Sequence, residues 1–470
     1  MEKYFIRNRY INETVNVDHN SLTNRDATES HPASAISYDD GTATLTDVQT
    51  QLEKQKIELK ETGEAINIAG LVTLNDSDGK IYTSFEYGDI AQFSSSTATI
   101  SQIIDIDTDK ALIFYRGNSI NLSVRLATIT GKTITYSEPV SISSSGFNIM
   151  KPVKIETNKV VIGFVAFTSG SHYPQVCVIS VAGSTITVGT LYTLKNTNST
   201  NTVIKLAYYN TNKVIAIYRD PNVSNNNYYN LLTISGDTIT VGTATALTDL
   251  TNLSVYNLAY SNRTGYVIAN YITDDKYHYF RIIYILGTNV YIGNEFTISS
   301  FASASYTKIF PIDQASFLVV MVDYGASYYT VAFVCKWSKY TTVDSKSSYC
   351  ITNTNDSGGS DKTIVNLDNN KFLFIFGNYA QILNIDDAVV KVSIPKTGFQ
   401  STFTCEHPSI CRLSNGKTML VFRDSTDDFG YGVVLDINNS TGLALTPQFS
   451  SNLITDRTDN ISVVPYLSLT

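Results

Sequence analysis

Ser235-Gly-Asp-Thr-Ile-Thr-Val241 has two close copies, Thr130-Gly-Lys-Thr-Ile-Thr-Tyr136 and Ala182-Gly-Ser-Thr-Ile-Thr-Val188, and a looser one, Leu286-Gly-Thr-Asn-Val-Tyr-Ile292. Their glycines, Gly131, Gly183, Gly236 and Gly287, stand 52, 53 and 51 residues apart, and Gly79 lies another 52 upstream. A fixed period of about 50 marks a repeat architecture. Glycine suits the motif because a tight strand-to-strand turn needs a positive φ, which costs a residue without Cβ almost nothing. The β-branched Thr and Ile beside it favour extended chain.

Working outward from the hairpin, each unit reads as four strands. Strand A is half-apolar, as in Ser101-Gln-Ile-Ile-Asp-Ile106. A polar turn follows, often ending in lysine: Asp107-Thr-Asp-Lys110, Glu156-Thr-Asn-Lys159, Asn210-Thr-Asn-Lys213, Leu367-Asp-Asn-Asn-Lys371 and Leu413-Ser-Asn-Gly-Lys417. Strand B is a continuous apolar run, as in Ala111–Tyr115, Val214–Tyr218, Phe317–Met321 and Phe372–Phe376. Such a strand belongs between two neighbouring sheets. Strand C and the glycine hairpin lead to strand D, the most polar and therefore the outermost. Four-stranded sheets that cannot bury both faces alone predict an all-β fold, a β-propeller; a parallel β-helix is the alternative. A–B pairs near residues 100, 150, 203, 255, 307, 362 and 408 predict seven blades. Residues 64–90 read as strands C and D, and Asn460–Tyr466 as a strand A. Pairing these two fragments would make a composite eighth blade, but no strand B accompanies them.

The bulk properties narrow the function. Apolar residues make up 43% of the 470 and charged ones only 16%, with a net charge of −8. The apolar content supports a core, and the acidic balance argues against nucleic acid or an anionic membrane as the main partner. No run reaches membrane-span length; Phe317–Val322 is among the longest aliphatic stretches, so no membrane insertion is expected. The N-terminal residues Met1–Tyr10 lack the apolar core of a signal peptide, so synthesis in a cytoplasm is expected.

In the strand order A to D, the B–C loops and D–A connections share one face of the ring, and the A–B and C–D turns share the other. The B–C loops are the long, aromatic ones. They are read as carrying Tyr173, Tyr228, Tyr229, Tyr277, Tyr279, Tyr328, Tyr329, Asp424 and Tyr431. Tyrosine gives a large contact area for few frozen torsions and keeps a hydroxyl to bond with. Beside Asp and Asn, that surface suits the apolar faces and hydroxyls of sugars. Blade packing is the competing explanation for the same tyrosines.

Other constellations offer less chemistry. Cys405-Glu-His-Pro-Ser-Ile-Cys411 lacks the paired close ligands of a zinc site, and the five cysteines form no disulfide framework spacing, so no metal or cofactor is expected. The acidic stretches Asp424–Asp428 and Asn355–Asp361 read as calcium loops or as solvated turns. The histidines make no His-x-x-x-His pair and no Ser-His-Asp set.

At the N-terminus, Leu45, Val48, Leu52 and Leu59, with Gln55, form a heptad seam about two heptads long. One short helix cannot bury it, so either chains associate or the helix lies on a domain. The preceding segment, His19-x-x-Leu-x-x-Arg-Asp-Ala-x-x-x-His-Pro-Ala-Ser-Ala-Ile36, resembles the connector of bacteriophage and tailocin tail fibres and receptor-binding proteins. The resemblance spans about residues 19–60. It implies a homotrimeric appendage in the virion tail, whose N-terminus meets other tail or baseplate proteins and whose C-terminal domain meets a host cell-surface glycan or other receptor. The expected layout is an attachment segment at 1–44, a trimerising helix at 45–61 and the propeller at 62–470. The expected function is non-catalytic adhesion. One alternative is a virion-borne glycosidase: Arg116, Arg219 and Arg423 follow strand B in three blades and resemble the arginines that clamp a sugar carboxylate in sialidases. Thr426-Asp-Asp-Phe-Gly430 loosely resembles an Asp-box, yet no Tyr–Glu nucleophile pair can be assigned, and structural ion pairs explain the arginines as well. The other alternative is a structural tail protein that docks a second virion component.

Overall fold

The computed structural model describes most of residues 86–436 and, before them, only the backbone of short segments between 38 and 83. Residues 85–437 form one compact unit and the flanking segments another. Blade 1 runs Ser101–Asp107, Lys110–Arg116, Leu122–Thr130 and Thr133–Tyr136 as strands A to D. Blade 2 runs Gly146–Glu156, Lys159–Thr168, Ser171–Ala182 and Thr185–Val188. Blade 3 is Ile204–Asn210, Lys213–Asp220, Asn226–Ser235 and Thr238–Val241. Blade 4 is Ser254–Tyr260, Tyr266–Ile272, Tyr277–Leu286 and Asn289–Ile292. Blade 5 comprises Ala304–Pro311, Ser316–Asp323, Tyr329–Lys339 and Thr342–Thr352. Blade 6 comprises Lys362–Asp368, Lys371–Phe376, Tyr379–Asp386 and Val389–Val392. Every sheet is an antiparallel meander in this order.

The seventh blade is composite. Its strands A to C are Cys405–Arg412, Thr418–Asp424 and Gly430–Asp436, and its outer strand comes from the other end of the chain, as Glu86–Tyr87 and Ala91–Ser94. The ring is therefore seven-bladed and closed by residues 86–94. The composite eighth blade does not form: Ile66–Ile68, Val72–Asn75 and Lys80–Thr83 pair among themselves in a three-stranded sheet. Asn460–Tyr466 lies outside the described residues. So do Val48, Leu52 and Leu59 of the heptad seam, while Leu45 sits in a two-residue strand opposite Tyr38.

Local sequence explains the turns. The hairpin glycines have φ between 58° and 64° and open space where a Cβ would go. Only the first central residue of each turn is left-handed, the pattern of a type II′ hairpin. The A–B turns solve the same problem differently: Asn158, Asn212 and Asn370 adopt positive φ just before the lysine. The strand register slips at that point, as in a type I turn followed by a bulge. Asparagine tolerates this conformation better than most side chains. The C–D corners of blades 5 and 6 join Lys339 to Thr342 and Asp386 to Val389 with no glycine, which is why the motif fades there.

Burial follows the layering. Strand B is buried on both faces, as in Lys371–Phe376, where only the leading lysine meets solvent. Its alternate side chains enter the cores on either side. Leu112 and Phe114 join Val160 and Ile162 between blades 1 and 2, whereas Ala111 and Ile113 join Met419 and Val421 between blades 7 and 1. A core of this kind fills each of the seven seams. The innermost strands A touch their neighbours all the way round. Cys177, Cys335, Cys405 and Cys411 are buried free thiols inside these cores, behaving as small hydrophobes.

Candidate functional site

The A–B and C–D turns share one face, as their contacts show. The Lys110 ammonium donates to the Gly183 carbonyl at 3.2 Å, and Lys417 donates to the Gly131 carbonyl. In each case a lysine ending one A–B turn grips the glycine hairpin of the next blade. The B–C turns and D–A connections therefore gather on the opposite face.

On that face the structure moves the predicted tyrosines out of the loops and into strand C. Tyr173 pairs with Ala166, Tyr228 with Tyr218, Tyr229 with Ile217, Tyr279 with Tyr271, Tyr329 with Asp323 and Tyr431 with Phe422. Tyr277 opens strand C of blade 4, and Tyr328 lies outside the described residues. The correction has a simple cause. Tyrosine is a strong strand former, and pairing with strand B extends strand C further than the polar loop residues suggested.

Three of these tyrosines occupy one register position. Tyr228, Tyr279 and Tyr431 stack on the strand-B rings of Tyr218, Tyr271 and Phe422 at 6.1, 5.8 and 6.1 Å, nearly parallel. The inner ring is buried and the strand-C tyrosine half-buried. Charged groups collect around each pair. The Lys195 ammonium sits 3.4 Å above the Tyr228 ring and pairs with buried Asp220 at 2.7 Å. The Tyr431 hydroxyl donates to Asp427 Oδ2 at 2.6 Å. Burial first, then that hydrogen bond, push its pKa up to about 12, so it stays a neutral donor at physiological pH. Asp424 is itself buried and accepts the Thr426 N–H at 3.2 Å, which makes it a turn-former rather than a free ligand.

A Tyr–Glu contact does form. The Tyr271 hydroxyl donates to Glu295, and Arg281 Nε donates to the Tyr271 oxygen at 3.0 Å. The ring is fully buried, and desolvation followed by the Glu295 hydrogen bond raises its pKa. A phenolate nucleophile needs the opposite shift and an open approach. This cluster is a clasp that ties the connection after strand D of blade 4 to strands B and C. Arg423 is likewise held within its own blade, by Glu406 and by Asp428 at 3.3 Å. Cys405 and Cys411 enter different inter-blade cores, so they cannot share a metal ion. Lys195, Glu295 and Arg281 carried no signal in the sequence, because each gains meaning only from a partner that folding brings to it; Asp427 was visible there only as part of an acidic stretch.

A second feature lies on the axis. Strand A places Lys151, Lys205 and Lys308 at one level, opposite Gly163, Ile217 and Val320 of strand B. The other blades put Gln102, Asn257, Thr363 and Ser409 at the equivalent register. The level is polar in every blade. The three lysines are only half-buried although they sit on the innermost strands. Desolvation lowers all three pKa values; the Lys151 charge adds to the effect on Lys205, held at about 8, and both add to it on Lys308, held at about 7.

That crowding has a measurable consequence. Between about pH 7 and the ordinary lysine value of 10.5, folded Lys308 has shed a proton that the unfolded chain still holds. Stability therefore rises with pH across the lower part of this window. Thermal melts in low salt should show a higher Tm at pH 9 than at pH 7. Lys308→Met should flatten the rise; an equal rise in the variant would rule out Lys308 as its source.

No protein-family model matches the chain, and no curated protein sequence matches it. Among solved structures, the fold is similar to the NanB sialidase of Streptococcus pneumoniae, at 11% identity and a TM-score of 0.44 over 78% of this chain and 73% of that one. It is also similar to the BP39L lectin of Burkholderia pseudomallei, at 12% identity and a TM-score of 0.49 over 73% of this chain and 97% of that one. A shared scaffold does not assign an activity, which has to be read from the site.

Proposed function

We propose that the propeller binds a glycan without cleaving it, through the tyrosine platforms of blades 3, 4 and 7. The observation that carries this reading is the repeat of one stacked aromatic pair, with a charged or carboxylate neighbour, at the same register in three blades. Stacking pre-orients each half-buried tyrosine; the Tyr279 and Tyr431 rings offer an apolar face to a sugar ring, and on the Tyr228 ring the Lys195 ammonium offers a polar contact instead. Adjacent carboxylates and ammonium groups suit the sugar hydroxyls. We place this propeller at the tip of a trimeric phage or tailocin tail appendage, attached to other tail proteins through residues 1–44. That placement rests on the resemblance of residues 19–60. Three modest sites on one trimer would then multiply through effective concentration.

The test is adsorption to host envelope polysaccharide. Alanine at Tyr228, Tyr279 and Tyr431 together should weaken it at least about tenfold, since binding energy concentrates in a few aromatic anchors. Tyr431→Phe keeps the ring and loses the hydroxyl, so it should retain most of the binding. Undiminished adsorption by the triple variant would sink the reading, and shortening of the polysaccharide during incubation would favour the glycosidase instead. For assembly, light scattering should give a trimer at micromolar concentration that Leu52→Asp weakens; a monomeric parent would exclude the stalk.

A further inference from the structure

We propose that the C–D hairpin of blade 4 carries a further saccharide site, for a neutral sugar, at the other end of strand C from Tyr279. The observation is a register comparison between four hairpins. One face of the blade 1 hairpin is built from the cross-strand pairs Thr128–Thr135 and Thr130–Thr133. The equivalent pairs are Ser180–Thr187 and Ala182–Thr185 in blade 2, and Thr233–Thr240 and Ser235–Thr238 in blade 3. Strand B extends each face with a lysine, Lys110, Lys159 or Lys213. Blade 4 keeps the backbone and exchanges the chemistry. Its pairs are Tyr284–Tyr291 and Leu286–Asn289, and Tyr266 stands at the lysine position.

The three tyrosines form a ladder across strands B, C and D. Tyr266 and Tyr284 stack at 4.6 Å, and Tyr284 and Tyr291 at 6.0 Å, with consecutive planes within 29° of each other. Tyr266 is buried and Tyr284 packs on the core between blades 4 and 5, so the ladder is held from within. Its far end meets solvent. Tyr291 is 49% exposed on the last strand of its sheet, and Leu286, on the same face, is 57% exposed. An apolar patch that the fold leaves uncovered, where sibling blades carry hydroxyls, marks a contact site.

Size and charge select the occupant. Two tyrosines of about 150–250 Å² each, partly covered already, and one leucine fall short of the ~800 Å² per partner that a stable protein interface buries. A sugar ring needs far less. None of Tyr284, Leu286, Asn289 and Tyr291 is charged, so the face gives an acidic group no counter-charge. The tyrosine rings suit the apolar side of a sugar, while the phenol hydroxyls and the Asn289 carboxamide can bond to its hydroxyls.

The experiment is saturation-transfer NMR of the full chain with cellohexaose, maltohexaose and mannohexaose. It is run on the parent and on the variant with alanine at Tyr228, Tyr279 and Tyr431, which separates this site from the platforms. At least one sugar should receive transfer from both proteins. Adding Leu286→Thr and Tyr291→Thr, the residue types of blade 1, should weaken binding at least about tenfold, since contact energy concentrates in aromatic anchors. Both positions are exposed, so Tm should not move. The same two substitutions in the parent should remove the hairpin's share of the signal, and Tyr291→Phe should retain most of it. No transfer to any of the three sugars from the triple-alanine variant overturns the proposal, as does full binding after both threonine substitutions. If the platforms bind no glycan, the triple-alanine variant matches the parent and the hairpin signal remains, so the two readings fail separately. Self-association lost on threonine substitution, with no sugar bound beforehand, would make the face a protein contact and overturn the site.

Discussion

Alanine in place of Phe93 is expected to cost about 3–5 kcal/mol, the range for truncating a fully buried phenylalanine. Phe93 sits on the outer strand of blade 7, yet it is buried in the seam with blade 1. Its ring meets Tyr115 edge-on at 5.4 Å and lies close to Tyr136 at 6.2 Å. On its other side is Gly430, where any Cβ would overlap the ring at 2.3 Å. The Tyr136 hydroxyl donates to the Ala91 carbonyl at 3.2 Å and fixes the same strand to the next blade. Phe93 therefore locks blade 7 to blade 1 where the ring closes. Urea titration of the full-length variant reads the loss directly. A cost below about 1 kcal/mol would show that the seam does not depend on this wedge. Gly430→Ala should act on the same contact from the opposite side, so the two costs should fall short of adding.

Alanine at Gly88 or Gly189 should be the next most damaging change, at about 2–3 kcal/mol each, in the upper part of the range for forcing atoms into a packed site. Both glycines lie where strand D kinks away from strand C, and each donates its N–H back to that strand, to Val434 and Val178 at 2.8 Å. At this kink the glycine hairpin of the next blade comes in. A Cβ on Gly88 would stand 2.1 Å from the Lys132 carbonyl oxygen, and one on Gly189 2.5 Å from that of Asp237. Those neighbours are backbone and cannot swing aside. Gly183→Ala is the control. Its Cβ would meet nothing within 4 Å, and only its φ of 64° is strained, at a cost of about 1–2 kcal/mol. If Gly189→Ala proved no worse than Gly183→Ala, the close approach of the blades would be wrong.

The contrast between these glycines shows what could be read in advance. Gly183 and Gly236 announce themselves through their flanking Thr-Ile-Thr, because a turn and its strands are local in sequence. Gly189 and Gly88 have no such signature; their requirement comes from a hairpin about 50 residues away in the chain. Tyr228, Tyr279 and Tyr431 fall between these cases. Their grouping on one face followed from strand order, but their stacking on Tyr218, Tyr271 and Phe422 depends on the pairing register.

By itself the sequence determined the repeat, the four strand roles, the seven A–B pairs and the division of the turns between two faces. All of these follow from backbone preferences and apolar periodicity within one repeat, which neighbouring residues set between themselves. Tertiary structure alone decided that residues 86–94 complete blade 7 and that Glu295 clasps Tyr271. It also decided that Lys151, Lys205 and Lys308, each unremarkable in its own strand, share one level of the axis. These outcomes depend on contacts between distant segments, whose partners are fixed only when the packed seams set the position of each blade.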